Sequence, residues 1–166
     1  MKILGIDPGT HVMGWGVVEN DGDNVSAVGY GAIKVPDKLQ AADKLNLLYN
    51  ELLKIIRQYQ PNNIAVEQPF VAKNVHSAFV VGRAQAVALL AAANNKISCF
   101  EYTPAQVKQR VSNYGASGKE QMQQMVKLML GMKEIPQPND AADALAIALC
   151  HAQESHLNDL LSRQGE

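Results

Sequence analysis

Residues 2–10 read KILGIDPGT, an apolar run from Ile3 to Ile6 that ends at Asp7 and passes directly into Pro8 and Gly9. A short apolar run bounded by turn formers is typical of a buried β-strand. The first element is therefore predicted to be a strand, with Asp7 at the end of it.

A hairpin is predicted to follow this strand. Residues 14–19 (GWGVVE) and 26–33 (SAVGYGAI) are rich in β-formers, and the Asn-Asp-Gly-Asp-Asn cluster of residues 20–24 separates them. Such clusters are turn chemistry between antiparallel strands. The first fifth of the chain is thus expected to form three antiparallel strands.

The rest of the chain alternates helical and strand patterns. Further strands are predicted over 63–67 and 97–102, and helices over 37–60, 77–94, 104–111, 119–130 and from Asn139 or Asp140, as the cap, to about His151. This order describes an α/β fold with a mixed five-stranded sheet and helices on both faces. One domain is expected over residues 1–153, followed by a polar C-terminal tail, 154–166, that frays.

Composition narrows the class of protein. The two cysteines, Cys99 and Cys150, lie outside any Cys-x-x-Cys or Cys/His pattern, so neither a disulfide framework nor a zinc site is expected. The N-terminus lacks the pattern of a signal peptide, and no uninterrupted apolar run reaches about 18 residues. We therefore predict a cytoplasmic protein that does not span a membrane.

The charge is unevenly distributed along the chain. The net charge is -1 and the sequence pI about 6.4, which taken alone argues against nucleic-acid binding. Residues 70–133, however, hold eight Lys and Arg against two acids, while the remainder holds seven against fourteen. A basic stretch of this kind is either an ordinary solvated surface or a footprint for nucleic acid, and the count alone leaves both open.

Four acids stand where predicted strands end or a helix begins: Asp7, Glu67, Asp140 and Asp143. Each has an ordinary explanation, because Asp7 can cap a turn, Glu67 can be an exposed strand end, and Asp140 and Asp143 can cap a helix and oppose its dipole. In combination, the four acids suggest a shared site. Asp-Ala-Ala-Asp puts two acids on one helix face, and neighbouring strands would bring Asp7 and Glu67 side by side.

Four converging carboxylates would repel one another unless cations held them together. Mg²⁺ prefers carboxylate and water oxygen, and two such ions can activate an attacking water and stabilise a leaving oxygen. The acids therefore predict a divalent-metal site.

Four segments together resemble the motifs of the RuvC family of Holliday junction resolvases, in the ribonuclease H-like superfamily. They are residues 5–10 (GIDPGT), 66–70 (VEQPF), 106–109 (QVKQ) and 140–148 (DAADALAIA), in the same order and spacing, and the match covers essentially residues 1–151. A lone Gly-x-Asp-x-Gly-Thr also opens sugar kinases and actin-like ATPases, so the resemblance rests on all four. Residues 11–13 (HVM) depart from the Arg-x-Thr often found there.

The resemblance implies an Mg²⁺-dependent endonuclease that nicks two strands of like polarity symmetrically at a four-way junction, leaving 5′-phosphate and 3′-hydroxyl ends. It gives metal-ligand positions to Asp7, Glu67, Asp140 and Asp143, with Mn²⁺ able to replace Mg²⁺. It places Lys108 and Lys119 near the scissile phosphate and Phe70 against unstacked bases. Further DNA contacts are expected from basic residues of the same stretch, namely Lys73, Arg83 and Arg110.

The resemblance also implies partners. Two symmetric cuts on one junction need two active sites related by a two-fold axis, which a homodimer supplies. The Ala-rich helix over 77–94 corresponds to the place where the family dimerises. A branch-migration complex of RuvA and RuvB is the further partner implied.

Three other functions are considered beside this one. An ATP-binding actin-like or sugar-kinase domain would need two lobes, whereas 166 residues supply one. A junction-binding module without catalysis would not need the four acids. A nuclease for RNA/DNA hybrids would need contacts to 2′-hydroxyls, which no sequence pattern reveals.

Overall fold

The sheet has five strands and mixed polarity. The computed structural model describes residues 1–22, 24–69, 75–112 and 118–164. The strands are β1 (Lys2–Asp7), β2 (Val12–Asn20), β3 (Val25–Lys34), β4 (Asn63–Glu67) and β5 (Ser98–Tyr102), in the order β3-β2-β1-β4-β5. The first three pair antiparallel, and β4 and β5 run parallel to β1. The predicted mixed five-stranded sheet is confirmed.

Five helices cover the two faces of the sheet in the described part of the chain. They are α1 (Ala41–Tyr59), α2 (Val75–Asn94), α3 (Pro104–Ser112), α4 (Lys119–Met129) and α5 (Asn139–Gln164). α1 and α2 share one apolar cluster with one face of the sheet, and α3, α4 and α5 share a second cluster with the other face. The side chains of a strand alternate between these clusters.

This alternation decides where the strand-end acids lie. In β1, Ile3 belongs to the α5-side cluster, whereas Leu4 and Ile6 belong to the α1/α2-side cluster. In β4, Ala65 is on the α5 side. Because the side-chain period of a strand is two residues, Asp7 and Glu67 both fall on the α5 face of the sheet.

Glycines allow α5 to lie directly on the central strands. A Cβ added at Gly5 would collide with the carbonyl oxygen of Ala144, and one added at Gly14 with the carbonyl oxygen of Asp140. Only a residue without a side chain permits this close approach of helix and strand backbones. The two glycines therefore set the distance between the first turn of α5 and the end of β1.

α5 differs from the prediction at both ends. Asn139 does not cap it: the carbonyl of Pro138 accepts hydrogen bonds from the amides of Ala141 and Ala142, and Asn139 Oδ1 accepts one from Gln123 Nε2 at 3.0 Å. The helix also continues to Gln164, so the predicted end near His151 is wrong. The polar composition of the last residues suggested an earlier end to the helix. However, no Gly or Pro interrupts the helix before residue 165.

His151 anchors the middle of α5 to the start of β4 and the end of β5. Its Nδ1 lies 2.7 Å from the hydroxyl of Tyr102, and its Nε2 lies 3.0 Å from Nδ2 of Asn63. The amide nitrogen Nδ2 of Asn63 can only donate a hydrogen bond. His151 Nε2 therefore accepts it, and His151 Nδ1 carries the proton that points toward the Tyr102 hydroxyl. Burial lowers the pKa of His151, which favours this neutral form. His151 thus has a structural role.

α2 is long and apolar enough to cross a membrane by length and composition, with a mean hydropathy of 1.4. It is the one helix of this kind in the described residues. The helices of protein cores pass the same test, and α2 contributes Ala84, Ala88, Ala91 and Ala92 to the α1/α2-side cluster.

Candidate active site

Three of the four predicted acids line one cavity of about 340 Å³. Asp7 comes from the end of β1, Glu67 from the end of β4, and Asp143 from the second turn of α5. Apolar and Pro side chains complete the wall: Pro104, Val107, Met122 and Ala146. Two strand ends and one helix start thus converge, as the sequence pattern predicted.

Asp140 lies beside this group and not in the wall of the cavity. Its charge nevertheless raises the pKa of both Asp7 and Asp143, so the four carboxylates form one electrostatic unit. Between the two aspartates, Ala141 and Ala142 are buried, with exposures of 0% and 1%. These small residues face the core while Asp140 and Asp143 stay half-buried at the surface.

Three of the acids, Asp7, Glu67 and Asp143, have raised pKa values. Burial, followed by the charge of Glu67, raises the pKa of Asp7 from its ordinary 3.8 to about 8. Burial and the charge of Asp143 raise the pKa of Glu67 to about 7, although Lys108 opposes the shift. Burial also raises the pKa of Asp143. Shifts of this kind, caused by desolvation and by like charges in a cleft, mark candidate functional sites.

Two lysines enter the same cavity from α3 and α4. Lys119 Nζ lies 3.5 Å from Asp143 Oδ2, and the charge of Lys108 lowers the pKa of Glu67.

A capping box fixes the start of α3. Gln106 Oε1 accepts from the amide of Thr103 at 2.8 Å, and Thr103 Oγ1 accepts from the amide of Gln106 at 3.2 Å. This cap helps to position Lys108.

The other predicted DNA contacts are not gathered at this cavity. Arg83 lines cavities on the α1/α2 side, and its guanidinium lies 4.6 Å from the ring centroid of Phe79. The charge of Arg110 acts to lower the pKa of Tyr102 and of Cys150. Phe70 and Lys73 fall outside the described residues.

An adjoining cavity of about 260 Å³ shares Asp7 and Glu67 with the first. Its remaining wall includes Gln68, Pro69 and Ser77, none of which the sequence singled out for this role. A serine near the start of an Ala-rich helix is too common a pattern to indicate a site. Asp7 and Glu67 are therefore accessible from two adjoining cavities.

The donor chemistry of the site fits a hard divalent cation. Its side chains offer carboxylate oxygens, which Mg²⁺ and Mn²⁺ prefer, and no thiol or imidazole lines the cavity. Within the described ranges, no three His, Cys, Asp or Glu side chains are gathered as a ready metal cluster. A bound cation would offset the mutual repulsion of the carboxylates.

Comparison with known proteins agrees with this architecture. A family model described as Crossover junction endodeoxyribonuclease RuvC matches residues 3–151. Two curated relatives bear the same description. The one from Dehalococcoides mccartyi is 53% identical over 151 residues, covering 91% of this chain and 92% of the relative. The one from Chloroflexus aggregans is 53% identical over 152 residues, covering 92% and 93%.

A solved structure is also similar over nearly the whole chain. T. thermophilus RuvC in complex with a Holliday junction substrate superposes with a TM-score of 0.89 at 33% identity, covering 95% of this chain and 96% of that one. The fold and the carboxylate site define an endonuclease of the ribonuclease H-like class. More particularly, the chain belongs to the RuvC family. Membership of this family implies dependence on a divalent metal ion.

Proposed function

We propose that this protein resolves Holliday junctions by nicking two strands of like polarity symmetrically. The observation that carries the proposal is the convergence of Asp7, Glu67 and Asp143 on one cavity that Lys108 and Lys119 also line. The relatives' description as crossover junction endodeoxyribonucleases supports the reaction class, and the T. thermophilus complex supports the junction as substrate. The biological setting would be DNA recombination and repair.

The proposed reaction is hydrolysis. Water attacks the scissile phosphorus, the bond from phosphorus to the 3′ oxygen breaks, and 5′-phosphate and 3′-hydroxyl ends result. Asp7, Glu67, Asp140 and Asp143 would hold two Mg²⁺ ions, for which Mn²⁺ can substitute. When bound, these ions supply Lewis-acid stabilisation of the phosphate and make water a better nucleophile at neutral pH.

The lysines have a distinct role in this proposal. A cation beside the scissile phosphate offsets the negative charge that develops in the transition state. Lys119 already lies near Asp143, and Lys108 is close enough to Glu67 to lower its pKa. Both are therefore near the carboxylates that would hold the metal.

Junction binding is proposed to rest on the basic stretch and not on net charge. Phosphate contacts dominate affinity for DNA, and local Lys and Arg supply them. Lys73, Arg83 and Arg110 remain proposed contacts, and Phe70 remains the aromatic proposed to support unstacked bases near the crossover. The observed positions of Arg83 and Arg110, away from the catalytic cavity, favour contacts with more distant DNA.

We further propose a homodimer formed through the outward face of α2. Val75 and Phe79 are 73% and 61% exposed, and Leu90 is 54% exposed, which leaves an apolar stripe at helical spacing. An isologous contact along this stripe would relate two active sites by a two-fold axis, as symmetric cutting requires. RuvA and RuvB are the proposed branch-migration partners, and the cytoplasm is the proposed location.

One experiment separates this function from the alternatives. The protein is incubated with a labelled four-way junction, a linear duplex and an RNA/DNA hybrid, each with and without Mg²⁺. Metal-dependent nicking confined to the junction supports the proposal. Selective hydrolysis of the hybrid would favour an RNA-directed nuclease, whereas junction binding without cutting would favour a non-catalytic module. ATP binding, measured by calorimetry, would favour the nucleotide-binding alternative.

A further inference from the structure

A cation-rich cavity lies at the same edge of the sheet as the catalytic cavity, but against α1 and α2. Its volume is about 230 Å³. Basic side chains reach it from three parts of the chain: His11 from the turn after β1, Lys44 from α1, and Arg83 from α2. None of its eight lining residues is acidic, whereas three carboxylates line the catalytic cavity.

Two of these basic side chains form no salt bridge within the described part of the chain. His11 Nδ1 lies 2.8 Å from Asp37 Oδ1, but neither Lys44 nor Arg83 forms a salt bridge with any residue that the structure describes. The contact of Arg83 with Phe79 leaves its charge in place. Lys44 is half-buried, which reduces screening by water. An anion in the cavity would therefore relieve the repulsion between the two charges.

The other walls suit a small anion. Thr10 contributes a hydroxyl group, and Leu45 and Val80 contribute apolar surface that strengthens electrostatic attraction within the cavity. Ala41, the first residue of α1, is also in the wall, so the helix dipole adds to the same field. The volume is below the roughly 300–1,000 Å³ of pockets for drug-sized ligands, which favours a single phosphate group over a nucleotide.

The position of the cavity relates it to the catalytic site. Thr10 follows Asp7 by three residues, so their Cα atoms are separated by about 11 Å at most. Phosphates follow one another every 3.4 Å or so of axis along one DNA strand. A strand with its scissile phosphate at Asp7 would thus have another phosphate within a few nucleotides of Thr10.

We propose that Lys44, Arg83 and Thr10 form a second phosphate subsite, which holds a backbone phosphate of the junction a few nucleotides from the cut. The inference rests on the proposed junction-resolving function. It adds a residue from outside the basic stretch, Lys44, to the DNA-binding surface. Because the subsite reads a phosphate and not a base, its contribution is independent of DNA sequence.

Salt-dependent binding of the full-length protein to four-way junctions tests the subsite. Lys44→Gln is compared with Lys54→Gln, which removes the same charge from the same helix but outside the cavity. Lys44→Gln should lower junction affinity several-fold and reduce the log-log salt slope by about 0.9, equally on junctions of different sequence. Lys44→Arg should retain the wild-type slope, and Lys54→Gln should leave it unchanged. Thermal unfolding confirms that each variant is folded.

The outcomes distinguish this inference from the function on which it rests. If the wild-type protein neither binds nor cuts a junction, the proposed function fails and the subsite fails with it. If the wild type cuts normally and Lys44→Gln has the slope and affinity of Lys54→Gln, the subsite alone is wrong. Arg83→Gln provides a second variant, and an unchanged salt slope there would remove Arg83 from the subsite.

Discussion

The ammonium nitrogen of Lys119, at the start of α4, lies 3.5 Å from a carboxylate oxygen of Asp143, in the second turn of α5. The pair is partly exposed, so its direct contribution to stability is small. Its effect on the site is larger, because Lys119 lowers the pKa of both Asp143 and Asp7 against the strong influence of burial. One cation thus acts on two of the acids.

Replacing this cation should slow cleavage beyond any loss of DNA affinity. In Lys119→Ala the single-turnover rate at saturating protein should fall by roughly 100-fold, the scale found when one preorganised electrostatic donor is removed. Lys108→Ala should behave similarly, since Lys108 lines the same cavity. Lys127→Ala, in the last turn of α4, is the control and should reduce affinity at most. Unchanged saturated rates would make Lys108 and Lys119 ordinary phosphate contacts.

Asp7→Asn should abolish cutting while leaving junction binding largely intact. The change keeps the size of the side chain but removes a charge that the metal site needs, whereas binding depends mainly on phosphate contacts. Electrophoretic mobility shifts and cleavage assays on the same junction separate the two properties. Cutting at near wild-type rate would remove Asp7 from the site. The corresponding variants of Glu67, Asp140 and Asp143 test each remaining acid in turn.

The same substitution should stabilise the metal-free protein. The pKa of Asp7 is raised from 3.8 to about 8, so its folded state favours the protonated carboxyl. The stability that this preference confers is fully present below about pH 4 and is lost as the pH rises through 8. At pH 8, Asp7→Asn should therefore unfold with a free energy about 0.5–2 kcal/mol higher than wild type.

Chemical denaturation in EDTA at pH 4 and pH 8 measures this difference. The advantage of Asp7→Asn should be greatest at pH 8, and added Mg²⁺ should stabilise the wild type but not the variant. If Asp7→Asn and wild type had the same free energy of unfolding at pH 4 and also at pH 8, Asp7 would ionise in the folded protein without cost.

Gly14→Ala should damage activity more than stability. The added methyl would collide with the carbonyl oxygen of Asp140, and overpacking of this kind costs about 1–3 kcal/mol. The first turn of α5 must shift to relieve the collision, which moves Asp140 and Asp143 relative to Asp7. A folded variant with a greatly reduced cleavage rate is expected. A rate near that of wild type, at unchanged melting temperature, would show that α5 tolerates the shift.

The four candidate acids could be predicted because each depends on a local pattern. Asp7 and Glu67 end apolar runs, and Asp140 and Asp143 are three residues apart at the start of the Ala-rich helix α5. The end of α5 could not be predicted in the same way. Its last turns expose Leu157, Leu160 and Leu161, so no burial pattern distinguishes them from a polar tail.

The cavity against α1 and α2 could not be predicted from the sequence either. Thr10, Lys44 and Arg83 are far apart along the chain and belong to no shared motif. Only the packing of α1 and α2 on one face of the sheet brings them together. Charge counts over a continuous stretch cannot detect such a group, and Lys44 lies outside the stretch that was counted.

The outward face of α2 makes the homodimer testable with a matched pair of charges. Phe79 is 61% exposed and Ala88 is fully buried, although both lie on the helix expected to form the interface. Phe79→Glu should give a folded monomer in light scattering at micromolar concentration, because it places a charge in the proposed apolar interface. Ala88→Glu should instead lower the melting temperature sharply, because it buries a charge in the α1/α2-side core. Within residues 86–92, a charge at exposed Ala86 therefore tests the interface, whereas a charge at buried Ala91 or Ala92 tests the core.

A Phe79→Glu protein with the mass of a dimer would place the interface elsewhere. The monomer, if obtained, should still nick one strand of a junction but lose the paired, symmetric second cut.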